Sequence, residues 1–144
     1  MTDSVVGVGN PLMSDDGVGA AVVESLDGVG DRCRHTGTNG FLALEAMDGT
    51  DRAVLVDAVD MAEPPGSVLT LPFDGEAFAE GVEVTMHDIS VAEALSVGVD
   101  AYDLPSAVWL VGVVPETTAA GTELSDSVRA AVPEAAGRVR GLLT

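Results

Sequence analysis

Three short blocks of this chain hold residues that could do chemistry. The first, Gly7–Gly17 (GVGNPLMSDDG), is a glycine-permitted turn followed by paired acids, Asp15-Asp16, where a helix is expected to begin. The second is Val56-Asp57-Ala58-Val59-Asp60, in which Asp57 closes an apolar run and so stands at the end of a buried strand. The third is Met86-His87-Asp88, just ahead of a helix start, where the helix dipole disfavours imidazolium and leaves the neutral ring that binds metals. Two carboxylates about 4 Å apart repel by roughly 4 kcal/mol at an effective dielectric near 20. A site that draws Asp16 and Asp57 together therefore needs a cation or a shared proton. With His87 added it becomes an incomplete O/O/N ligand set, and open positions suit catalysis or metal sensing rather than a closed structural site.

Each block also has a plainer reading. Acids at a helix N-terminus complement its dipole, worth about 0.3–1 kcal/mol. Asp57 could cap a turn, although a carboxylate at an apolar strand end is costly unless paired or metal-bound. A lone loop histidine is usually structural. Asp15 and Asp60 read as mainly solvated. A nucleotide-binding turn does not fit, because the third glycine of G-x-G-x-x-G is replaced by Leu12 and no basic residue is near. Cys33 and His35 could suggest a Cys–His pair, but nothing else in the sequence supports one. No Ser/His/Asp or Cys/His nucleophile is evident, which argues against an acyl-enzyme.

The elements that would position these residues can be read from apolar runs and breakers. Strands are expected at Ser4–Gly9, Arg32–Thr36, Ala53–Val59, Ser67–Leu71 and Ala107–Val114. Helices are expected over Gly17–Leu26, with Val18, Val22, Val23 and Leu26 on one face, and over Phe41–Met47, with Leu42, Leu44 and Met47. Gly37-Thr38-Asn39-Gly40 is a tight turn, and 73–86 an irregular acidic excursion. Ser90-Val91-Ala92-Glu93 has the form of a capping box and opens another helix. Ser125 can cap a last helix carrying Val128, Val132, Val139 and Leu142, which Pro133 should kink. Strands alternating with helices imply an α/β fold with a mostly parallel sheet of about five strands, covered on both faces. Ligands then bind beyond the carboxyl ends of the strands, where the loops after Gly9 and Val56 lie.

Composition sets the outer bounds. The chain has 144 residues, with 24 Asp or Glu against 6 Arg and no Lys, for a formal charge of −18. One domain over residues 1–144 is expected at this length. Apolar residues make up 47%, so the charge does not signal disorder. Phosphate binding needs clustered Lys and Arg, which excludes nucleic acid and, by the same sign argument, an anionic membrane. The longest apolar runs fall far short of the ~20 residues of a spanning helix. The first residues lack a basic leader segment, and Cys33 is the only cysteine, which fits a reducing cytoplasm. Self-repulsion at −18 is screened only at high ionic strength, so the acidic surface reads as adapted to a salt-rich interior.

The stretch Gly7–Gly19 (GVGNPLMSDDGVG) resembles the N-terminal signature of the hydrogenase maturation proteases. Three further blocks agree in order: Gly37-Thr38-Asn39-Gly40, Val54–Asp60 (VLVDAVD), and Val111-Gly112-Val113-Val114-Pro115-Glu116 followed by Gly121 and Leu124-Ser125. The resemblance spans residues 5–130. It implies a three-layer αβα sandwich around a twisted sheet, and an endopeptidase that trims the C-terminal tail of a nickel–iron hydrogenase large-subunit precursor. In that reading the metal is not a permanent cofactor but nickel already installed in the substrate. Its ligands correspond by position to Asp16, Asp57 and His87, with Asp16 or Asp57 as candidate activators of water. The first acid is often Glu in the family; Asp16 is one methylene shorter. Two alternatives keep the fold: a non-catalytic metal-binding or assembly protein, and a peptidase acting on a different precursor.

Overall fold

The structure, a computed structural model, describes residues 3–26, 32–72 and 103–143. The expected acidic excursion over 73–86, the helix opened by Ser90, and His87 itself lie outside the described residues. Five strands form one sheet: β1 (Asp3–Gly7), β2 (Arg32–His35), β3 (Arg52–Ala58), β4 (Val68–Pro72) and β5 (Ala107–Val113). Their order is β2-β1-β3-β5-β4. The first three pairings across the sheet are parallel and the edge pairing of β4 with β5 is antiparallel. The described helices are α1 (Val18–Ser25), α2 (Gly40–Met47) and α3 (Asp126–Leu142), with a single 3-10 turn over Ser14–Gly17.

Alternation along the strands divides the core into two layers. Val5, Val54, Val56, Ala58, Val111 and Val113 pack with α1 and α3 on one face. Val6, Ala53, Leu55 and Leu110 pack with Ala43, Leu44 and Met47 of α2 on the other. Strands sealed on both faces are why these segments read as unbroken apolar runs. The sandwich of three layers is therefore present.

Two local expectations need correction. Leu42 is 47% exposed rather than interior, because two residues turn a helix by about 200° and Leu44 already faces the sheet. Ser125 does occupy the N-cap of α3, but its side chain makes no capping hydrogen bond and serves another partner. Pro133, expected to kink the last helix, lies inside α3 on its exposed side, and α3 runs through it as one element.

Candidate active site

Chain direction fixes where the site must be. From β1 the chain crosses by α1 to β2 on one side, and β2 returns by α2 to β3 on the other. The carboxyl ends of β1 and β3 thus flank a topological switch point, the crevice where α/β sheets bind ligands. Gly9, Asp16 and Asp57 meet there.

Gly19 lets α1 approach this edge. A Cβ on it would lie 2.5 Å from the Val56 carbonyl oxygen and 2.6 Å from that of Val8, so a side chain would push α1 off the strand ends. Gly9 has φ +122°, and a Cβ there would stand 2.0 Å from the Asp16 carbonyl oxygen and 3.1 Å from Asp57 Oδ1. Only glycine fits between the two acids. Its own backbone is held from the side: Gly9 N–H donates to the Gly37 carbonyl at 2.9 Å, and His35 Nε2 lies 3.0 Å from the Gly9 carbonyl.

Asp16 and Asp57 are each only 1% exposed. Asp16 Oδ2 accepts from the Asn10 amide at 2.8 Å, and Asp57 Oδ1 accepts from the Ala58 amide at 2.8 Å. Their other oxygens, Asp16 Oδ1 and Asp57 Oδ2, are buried without a hydrogen-bond partner, two of four such side-chain oxygens among the described residues. Burial pushes the Asp57 carboxyl well above the usual carboxylate range, the nearby Asp16 charge adds to this, and the Ala58 amide only partly offsets it. An orphaned oxygen on each of two buried, mutually repelling acids is the condition that a proton or a cation relieves. Asp16 and Asp57 thus stand on either side of Gly9 at the carboxyl edge of the sheet. The described residues contain no group of three ligating side chains, and the expected third ligand, His87, falls outside them.

Asp15 departs most from expectation. Read as mainly solvated, it is fully buried. Its Oδ2 accepts from the amides of Glu116 and Thr117 at 2.9 and 3.0 Å and from the Ser125 hydroxyl at 2.8 Å, while Oδ1 takes the Ser125 amide at 2.7 Å. Burial alone would raise its pKa, but these four donors together outweigh it and hold the group below the usual range. Backbone bonds reinforce the junction: Asp15 N–H donates to Thr117, Ser14 N–H to Gly121, and Gly121 N–H to Leu12. Ser14, at φ +51°, is held in that left-handed conformation by these bonds and by its hydroxyl on the Ala119 carbonyl at 2.8 Å. The loop after β5 is thereby clamped against the 3-10 turn that carries Asp15 and Asp16. Asp60 is exposed, as expected. Cys33 and His35 do not pair; the thiol faces the Val23 carbonyl at 3.8 Å. His35, Asn10 and Ser125 are contributors that spacing could not reveal, since His35 meets a backbone carbonyl, Asn10 acts through its own backbone N–H, and the Asp15 partner of Ser125 lies 110 residues away.

The fold and this pair of buried acids define an α/β protein with two partnerless carboxylate oxygens at its switch point. Comparison with known proteins makes that class specific. Residues 33–141 match the hydrogenase maturation protease family HycI, and the chain belongs to that family. It is 28% identical over 145 residues to the hydrogenase 2 maturation protease of Escherichia coli (strain K12), a match covering 96% of this chain and 88% of that one. It superposes with a TM-score of 0.85 on the [NiFe] hydrogenase maturation protease HybD from Thermococcus kodakarensis, 26% identical, with both chains covered in full at 100%. A longer relative, the hydrogenase expression/formation protein HupD of Thiocapsa roseopersicina, is 29% identical over 123 residues, and the match covers 77% of this chain but only 53% of the relative.

Proposed function

We propose that this chain is an endopeptidase that removes the C-terminal tail of a hydrogenase large-subunit precursor once nickel has been installed, and that it recognises the nickel through Asp16, Asp57 and His87. The observation that carries this reading is the pair of orphaned, buried oxygens, Asp16 Oδ1 and Asp57 Oδ2, at the switch point of a family fold. A divalent ion brought by the substrate satisfies both oxygens and removes their repulsion, so the binding energy arises only when the precursor carries metal. Binding at that point places the tail beside two carboxylates, and holding reactants in register supplies much of a catalytic advantage. A carboxylate freed of its proton by the incoming ion can take a proton from the attacking water; metal-activated water serves the same step. No permanently bound cofactor is needed. We further propose that the protein works in a salt-rich cytoplasm, in keeping with its charge of −18 and its lack of Lys.

The test is cleavage of a precursor prepared with and without nickel. The purified chain should shorten the loaded form and leave the metal-free form intact. Asp16→Asn and Asp57→Asn should each abolish cleavage while remaining folded, and His87→Ala should weaken recognition. Equal cleavage of the metal-free precursor overturns the proposal.

A further inference from the structure

We infer that His35 is a positioning residue for Asp16, acting through the single peptide group that joins Gly9 to Asn10. The Gly9 carbonyl faces His35 Nε2 at 3.0 Å, and the Asn10 N–H of the same peptide donates to Asp16 Oδ2 at 2.8 Å. All described peptides are trans, so this C=O and N–H point in opposite directions across one plane. His35 grips one edge of the plane and Asp16 the other. A carbonyl oxygen can only accept, so the ring must carry its proton on Nε2. A donor on the carbonyl polarises the peptide and strengthens its N–H as a donor to the carboxylate.

The grip is placed where the backbone most needs it. Glycine tolerates rotations that other residues resist, so a peptide following Gly9 can turn over more easily than most. If it turned, the Gly9 carbonyl would face Asp16 Oδ2, acceptor against acceptor. His35 and the Gly37 carbonyl, which takes the Gly9 N–H at 2.9 Å, hold that residue from β2 and the turn after it. Thr36 N–H on the Gly7 carbonyl at 2.9 Å fixes the register of the two segments. With Oδ2 so occupied, the Asp16 carboxylate is oriented with Oδ1 as its free oxygen, the one the proposed cation would meet.

The inference rests on the role proposed above for Asp16, but the relay itself can be observed without any substrate. In the full-length isotope-labelled protein, the His35 ring should carry its proton on Nε2, and the Asn10 amide should exchange slowly with solvent. His35→Gln places an amide N–H near the same point and should preserve Asn10 protection and the cleavage rate. His35→Leu should speed Asn10 exchange on the order of tenfold, the worth of about one hydrogen bond, and lower kcat by a similar factor with KM little changed. An Nε2 without a proton in the unmodified chain overturns the relay, even if His35→Leu fails to fold. So does unchanged Asn10 exchange in a folded His35→Leu. If the unmodified chain cleaves no nickel-loaded precursor while Asn10 responds as stated, the relay stands and the proposed activity fails. Nickel-dependent cleavage with Asn10 unmoved leaves the activity standing and removes the relay.

Discussion

Asp15 and Asp57 are both buried aspartates, and their surroundings drive them apart. Asp15 is ringed by four donors and held below the usual carboxylate range, so its stabilising contribution is present above that range and is lost as pH falls through it. Asp57 is held well above the range by burial and by Asp16. Its folded form keeps a proton that the unfolded chain releases, so its contribution is full below the ordinary carboxylate pKa and is lost as pH rises towards the folded value. Replacing either acid by Asn should therefore have opposite effects on stability at neutral pH. Asp15→Asn turns an NH2 group towards amide and hydroxyl donors, and should cost about 3 kcal/mol, or roughly 10 °C in Tm. Asp57→Asn removes the cost of burying a carboxyl that must either hold a proton or face the Asp16 charge, so it should leave Tm equal or higher, and an activity assay should show cleavage at least about a hundredfold lower. Asp60→Asn should stay within about 0.5 kcal/mol, as exposed sites do. Thermal melts across pH 4–8 (roughly the span of carboxylate and neutral titrations) check all three. Asp16 and Asp57 are legible as a pair because each follows a strand-end signal at the same sheet edge. Asp15 is not, because its partners lie 101 to 110 residues away and three of its four bonds go to backbone amides.

At the scale of elements, apolar runs give away the central described strands β1, β3 and β5 to within a few residues, since strands covered on both faces have no polar positions to blur the pattern, whereas the edge strand β2 (RCRH) carries a weaker signal. What they conceal is how loops are tied together. The parallel bridge between Met13 and Gly121, and the bonds from Ser14 and Asp15 to the loop after β5, are made by main-chain atoms that carry no side-chain signature. The antiparallel direction of β4 is hidden for a related reason: a short apolar strand reads alike in either direction. The site's frame depends on Gly9 more than on any side chain in its loop. Gly9→Ala would place a methyl 2.0 Å from the Asp16 carbonyl oxygen at φ +122°, so the 3-10 turn must move. The expected result is loss of cleavage with faster amide exchange at Asn10 and Asp16, beyond the ~1 kcal/mol that left-handed backbone strain alone would cost. Pro133 offers the reverse case. It is exposed inside α3 and has no N–H to give the carbonyl one turn earlier. Pro133→Ala should restore that bond and raise stability by about 1–2 kcal/mol, part of the helical gain being offset by a freer unfolded chain. A lower Tm would mean that proline stiffens this helix more than it weakens it.

For the whole molecule the governing quantity is charge. Only six arginines oppose 24 carboxylates, which leaves a formal −18 on 144 residues. Two side-chain ion pairs, Arg129–Asp126 at 3.2 Å and Arg138–Glu134 at 3.4 Å, run along α3, both solvent-exposed. Pairs of that kind contribute about 0–1 kcal/mol and cannot balance the excess. In dilute buffer the Debye length reaches about 30 Å at 0.01 M, so carboxylates across the whole surface repel one another; at 1 M it contracts to about 3 Å and only immediate neighbours interact. The core has no such dependence, because the two apolar layers on either side of the sheet hold no charge. Added salt should thus act on the folded state mainly by lifting surface repulsion. Tm is expected to rise steeply between 0.01 and about 1 M KCl, with most of the gain below about 0.5 M, where screening changes fastest. The pair Asp16–Asp57 should respond less, since buried charges are screened much less than exposed ones. Comparing Asp57→Asn with the unmodified chain separates the two contributions. Their difference in Tm should stay nearly constant across the salt series while both curves climb together. A flat Tm over the whole range would show that the acidic surface is not a salt adaptation, and a difference that vanished with salt would show that the two site carboxylates are open to solvent.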